Sequence, residues 1–116
     1  MQSGSSPGIT QILKGVLDLA VLAVVAERDS YGYDVVRRLR ESGLSEVGDA
    51  SVYGTLRRLH QAGALTTYVV ASSEGPHRKY YRLNRQGRAL LSESARAWFG
   101  VTRALTTLLH GWEDYP

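Results

Sequence analysis

Residues 12–28 read as a first helix, in which Val16, Leu17, Leu19, Ala20, Val21, Leu22, Val24 and Val25 leave little polar surface. A helix apolar nearly all round is buried on several sides, and in a chain this short a second subunit could cover one of them. Asp29-Ser30 ends the run, and Ser30 is placed to cap a second helix over 31–42 by accepting a backbone N–H. Val35, Val36 and Leu39 form the buried stripe of that helix; Arg37, Arg38, Arg40 and Glu41 are expected in solvent, and Gly43 stops it. Residues 44–48 make a short connection to a third helix, 49–63, reading DASVYGTLRRLHQAG. There Val52, Leu56 and Leu59 recur at helical spacing and face the core. Ser51, Gly54, Arg58 and Gln61 fall on the opposite side, with Tyr53 and Arg57 on the flanks. No carboxylate follows Asp49, which sits in the first turn where the helix dipole favours negative charge.

Beyond Gly63 the period changes. Residues 65–71 (LTTYVVA) are rich in β-branched and aromatic side chains and predict a strand. Residues 72–77 turn around Gly75-Pro76, and 78–83 (RKYYRL) return as a second strand, making a hairpin. Tyr80 and Tyr81 should alternate sides, one in the core and one outside. Asn84 can cap a last helix running to about residue 110. In it Leu91, Trp98, Leu105 and Trp112 are seven apart, with Ser94, Val101 and Leu108 three after the first three. That is an a/d seam, which needs a partner helix. At about 40 Å this helix outruns a small domain, and a twofold homodimer is the natural solution. Gly100 inside it costs about 1 kcal/mol relative to alanine, and either a close helix approach or a local bend would account for it.

The expected architecture is mainly α with a small β-hairpin: a disordered tail over 1–11, a winged helix-turn-helix over 12–84, and a dimerisation helix over 85–112. Charge sharpens this reading. The chain is +3, but residues 49–88 hold seven basic side chains against Asp49 and Glu74, so that segment is +5 and the remainder −2. A basic middle of this kind suits a polyanion such as double-stranded DNA. The outer face of the third helix offers donors suited to phosphates and base edges, and the wing would carry His77, Arg78, Lys79 and Arg82 along neighbouring phosphates. The alternatives are an ordinary surface helix and a hairpin whose edge charges discourage aggregation.

Other chemistries find little support. There is no cysteine, so no disulfide, thiolate zinc site or cysteine nucleophile. His60, His77 and His110 match no metal-ligand spacing, and no nucleophile–base–orienter set is legible, so neither metal, cofactor nor enzyme is expected. The longest apolar stretch, 16–26, contains Asp18 and is too short for a bilayer. With no secretory leader visible, a cytoplasmic protein is expected.

Four stretches resemble the PadR family of bacterial transcriptional regulators: LKGVLDLAVLAVVA (13–26), SYGYDVVRRL (30–39), SVYGTLRRLHQAGAL (51–65) and GPHRKYYRLNRQGRALL (75–91). The last is the most specific, and the short chain with one C-terminal helix is similar to the smaller subtype. The resemblance implies a winged-helix dimer joined mainly through its last helix, repressing from a palindromic operator, often at its own promoter, and released in several members by small molecules. It implies DNA contacts from Tyr31, Ser51, Tyr53, Gly54, Arg57, Arg58, His77, Arg78 and Lys79. Together with that expectation, the heptad seam puts the dimer interface at Leu91, Trp98, Val101, Leu105, Leu108 and Trp112. Asn84 stands where the family often has threonine, and Gly48-Asp49 is less typical, which blurs where the third helix begins. Arg57 and Arg58 could read guanine or hold phosphate, and Tyr53 could pack at the helix edge or donate its hydroxyl. Trp98, and more weakly Phe99, could contact a flat aromatic effector, or Trp98 could simply fill the interface. A winged helix that docks a protein rather than an operator is the competing function.

Overall fold

The computed structural model describes residues 7–112. The elements run α1 (Pro7–Glu27), β1 (Ser30–Tyr31), α2 (Gly32–Glu41), α3 (Asp49–Gln61), β2 (Leu65–Val70), β3 (Arg78–Leu83) and α4 (Arg85–Leu108). Of the tail expected over 1–11, residues 1–6 lie outside the described residues, and from Pro7 the chain is already helical. Proline suits a first helical position, where its missing N–H has no intrahelical partner to lose and its φ is preset.

The strands form one antiparallel sheet in the order β1-β3-β2. The hairpin pairs Leu65 with Leu83 and Tyr68 with Tyr80, while β1 sets Ser30 against Tyr81 and Tyr31 against Tyr80. The pleat therefore sends Tyr81 into the core at 6% exposure and leaves Tyr80 half-buried on the other face. The core lies between α1, α2, α3 and the inner face of the sheet, centred on Val21, Leu22, Val35, Leu56 and Leu65.

β1 changes two expectations. Ser30 does not cap α2: Tyr31 is the N-cap, its backbone is extended and its side chain makes no capping bond. Ser30 is committed to the sheet, and its buried Oγ donates to the Arg28 carbonyl (3.1 Å) while accepting from Arg38 Nη1 (2.6 Å). Arg38, expected in solvent, is only 7% exposed and also reaches Glu27 at 2.5 Å. Its neighbours are exposed and paired: Arg37 with Asp34 and Glu41, Arg40 with Asp49 and the Val47 carbonyl.

Local stops fall where expected, Gly43 at φ +115° and Gly63 at φ +88°. Asn84 caps α4 by accepting from the Gly87 N–H and donates to the Gly63 carbonyl, both at 2.8 Å. The seam of α4 divides. Leu91 is half-buried and packs on the chain's own core, whereas Trp98, Val101, Leu105 and Leu108 are exposed, Leu108 by 78%. The helix ends at Leu108, and Gly111 (φ +84°) turns the backbone, so Trp112 leaves the helical line that the heptad spacing gave it.

Candidate nucleic-acid interface

α3 is held by its apolar side. Val52, Leu56 and Leu59 are buried as their spacing requires, and Thr55 joins them at 4% exposure. Its N-cap, Gly48, offers no side chain; instead Arg40 ties α2 to the turn by donating to the Val47 carbonyl at 3.0 Å and to Asp49 at 2.7 Å. The turn between α2 and α3 is thus fixed by a guanidinium fork. The outer surface of α3 presents Ser51, Tyr53, Arg57 and Arg58, all exposed, with Gly54 half-buried among them.

These residues separate into two groups. Tyr53 and Arg57 meet Tyr31, Arg78 and Lys79 around an open recess of about 430 Å³, where the start of α2, the middle of α3 and the first residues of β3 converge. Tyr33 and Gly32 complete its rim, and the Tyr53 ring lies directly over Gly32. The recess is braced by aromatic contacts. The Arg78 guanidinium stands 4.5 Å from the centre of the Tyr31 ring, which meets Tyr80 edge-on, and Tyr80 stacks on Tyr68 with an interplanar angle of 12°. Such contacts orient a cation without neutralising it. On the far side Arg82 lies over Tyr68, and both bond to Asp29, at 3.1 and 2.6 Å. That hydrogen bond to Asp29 holds the Tyr68 phenol above its ordinary pKa. His77 is exposed at the start of the returning strand, outside the recess.

Ser51, Gly54 and Arg58 face the other way, into a shallow depression shared with Lys14 and Asp18 of α1. Arg58 makes a bidentate pair with Asp18, Nη1 to Oδ2 at 2.8 Å and Nη2 to Oδ1 at 2.9 Å, which pushes its pKa further above the ordinary value. Sequence reasoning missed Asp18, and no local pattern would have found it, because its partner is forty residues away. Tyr33, 58% exposed, was missed too, although the S-Y-G-Y element that singled out Tyr31 contains it.

Beside this depression, α1 and α4 enclose an open cleft of about 820 Å³ lined by Ile12, Leu19, Trp98 and Val101, with Asp18 and Arg58 at its edge. Phe99 is 61% exposed and does not line it. Among the described residues no His, Cys, Asp or Glu cluster is suited to a metal, and no helix is long and apolar enough to cross a membrane.

A two-helix unit joined by a short fixed turn, backed by a third helix and followed by a basic hairpin, defines a winged helix-turn-helix protein, with α3 in the position of the second helix of the motif. Similarity to known proteins narrows this class. Residues 21–93 match the transcriptional regulator PadR-like family, and the chain belongs to that family. Its members are transcriptional regulators, not enzymes. The chain is 30% identical over 106 residues to an uncharacterized protein of Lysinibacillus sphaericus, covering 90% of this chain and 97% of that one. It is similar to the crystal structure of a PadR-like transcriptional regulator from Bacillus cereus (TM-score 0.78, 34% identity, 87% of this chain and 98% of that one). A PadR family regulator from Eggerthella lenta superposes with TM-score 0.78 at 27% identity, covering 89% of each chain.

Proposed function

We propose that this protein is a homodimeric, sequence-specific DNA-binding repressor acting on a palindromic operator. The observation that carries the reading is the convergence of Tyr31, Tyr53, Arg57, Arg78 and Lys79 on one recess. In this reading residues 12–84 are the DNA-binding unit. α3 lies in the major groove, with Ser51 and Gly54 allowing close approach and Arg57 on phosphate or guanine. The wing sets His77, Arg78 and Lys79 along the backbone. Residues 85–112 join two protomers through Trp98, Val101, Leu105 and Leu108, which supports half-sites about one helical turn apart. The cleft beside Trp98 supports release by a flat aromatic effector.

Duplex from the protein's own upstream region, titrated against scrambled duplex at rising salt, tests the reading. Specific binding should exceed scrambled binding at every salt concentration. Its logarithm should fall with the logarithm of salt by about 0.9 per phosphate contact. Neutralising Arg57, Arg78 and Lys79 together should flatten that slope. Equal affinity for both duplexes would refute an operator. Loss of a protein partner without any change in DNA binding would favour an interaction module. Sedimentation should give twice the chain mass at micromolar concentration.

A further inference from the structure

We infer that Asp18 competes with DNA phosphate for Arg58, so that the contact between α1 and α3 sets how tightly the recognition helix grips duplex. This rests on the DNA-binding reading above. After Asp49, α3 supplies no carboxylate to its own outer face. The fold brings one there from α1, and it meets Arg58 through both oxygens, at 2.8 and 2.9 Å. This fork is the arrangement a guanidinium also uses on phosphate, so Asp18 occupies the position a backbone phosphate would take.

The pair can be exchanged. The side chains of Arg58 and Asp18 are 59% and 50% exposed, and solvated ion pairs are weak. A duplex seated on Ser51 and Gly54 borders the same depression, where its phosphates meet both a cation they can take and an anion that repels them. Asp18 is therefore a positioning residue that tunes affinity downward. Asp18 and Arg58 also edge the cleft that holds Trp98. The ion pair thus links the wall of that cleft to α3 through exposed side chains.

The test is a double-mutant cycle read by duplex titration from low to moderate salt, with Asp18→Asn, Arg58→Gln and their combination, each checked by thermal melting. Asp18→Asn should raise affinity about twofold to fivefold, the range of an exposed ion pair. It should also steepen the salt slope by about 0.9 for each Arg58 newly engaged. Arg58→Gln should abolish both gains when combined with Asp18→Asn, and should cost less affinity in the wild type, where Asp18 already holds the guanidinium, than in the Asp18→Asn background. An equal loss from Arg58→Gln in both backgrounds, or an Asp18→Asn protein that binds more weakly at unchanged slope, overturns the inference. Should Asp18→Asn fail to fold, Asp18→Ser and the arginine side-chain nitrogen NMR signals of the wild type replace it. The Arg58 signals must shift on adding duplex, and unmoved signals overturn the inference. A wild type that does not bind duplex removes the DNA reading itself, whereas normal wild-type binding with no response to the Asp18 substitutions removes only this step.

Discussion

Gly32→Ala would separate the stability of the fold from the working surface of the recess. Gly32 is buried at the start of α2, and a Cβ there would overlap the Tyr53 ring. The obstacle is the end of a side chain that is 39% exposed, not backbone. The ring can therefore swing into solvent, and the lost packing amounts to about 1 kcal/mol, given roughly 25 cal/mol per Å² of apolar surface. Alanine returns up to about 1 kcal/mol of helix propensity. The two effects nearly cancel, so the melting temperature should move by no more than about 8 °C. DNA binding should respond differently. If the Tyr53 hydroxyl donates to a phosphate, its loss removes a bond to a charged group worth about 1.5–3 kcal/mol, a weakening of about tenfold to more than a hundredfold. Fluorescence anisotropy with an operator duplex, alongside thermal melting, reads both quantities. Tyr53→Phe keeps the ring seated and should reproduce the loss through the hydroxyl alone. Operator affinity within twofold of wild type for Gly32→Ala would remove Tyr53 from the interface. A drop in melting temperature beyond about 15 °C would show that the ring cannot yield.

Gly87→Ala meets backbone instead, since its Cβ would overlap the Ala64 carbonyl oxygen and come within 2.6 Å of Leu83 Cδ1. It should destabilise by about 1–3 kcal/mol in urea unfolding, and a neutral result would mean α4 does not seat where described. Arg38→Ala removes the buried donor to Ser30 Oγ (2.6 Å) and should cost about 1–3 kcal/mol while leaving operator contacts intact; a variant as stable as wild type would make the bond dispensable. Asp29→Asn should bring the Tyr68 phenol back toward its ordinary value, seen by ultraviolet titration, because the hydrogen bond to Asp29 is the main cause of its upward shift. Since the folded value is the raised one, this bond contributes stability fully below the unfolded phenol pKa and loses it as pH climbs through the folded value. Tyr68→Phe should therefore weaken the alkaline fall in stability, and an unchanged alkaline limb would count against the contact.

The sequence disclosed what is local. The stripe Val52, Leu56, Leu59, the stops Gly43 and Gly63 and the cap Asn84 depend on neighbours within a turn or two, and each lies where the pattern places it. What it concealed depends on distant partners. β1 is two residues long, too short for any periodicity, and exists because Tyr80 and Tyr81 return about fifty residues later to pair with it. Arg38 sits in a run of charges that reads as solvated surface, and is buried only because Ser30 and Glu27 wait for it. The heptad spacing in α4 says which residues share a line. It does not say that Leu91 is used up on the chain's own core or that Gly111 bends the line before Trp112.

The same distinction changes the meaning of the local charge. Residues 49–88 carry +5 by count, but Arg58 and Arg82 are paired with Asp18 and Asp29, and Asp49 with Arg40, all three partners lying outside the segment. Including them lowers the charge of the surface from +5 to +4 and, more usefully, sorts its cations. Arg57, Arg78 and Lys79 border the recess without a carboxylate partner among the described residues. Arg58 and Arg82 each face an acid that a phosphate must outcompete. Counterion release scales with the phosphates actually neutralised, so the measured salt slope should follow the first group closely and the second only as far as its acids let go. In the proposed reading the Arg57 side of α3 is therefore open to phosphate, whereas its Arg58 side is held by Asp18 of α1.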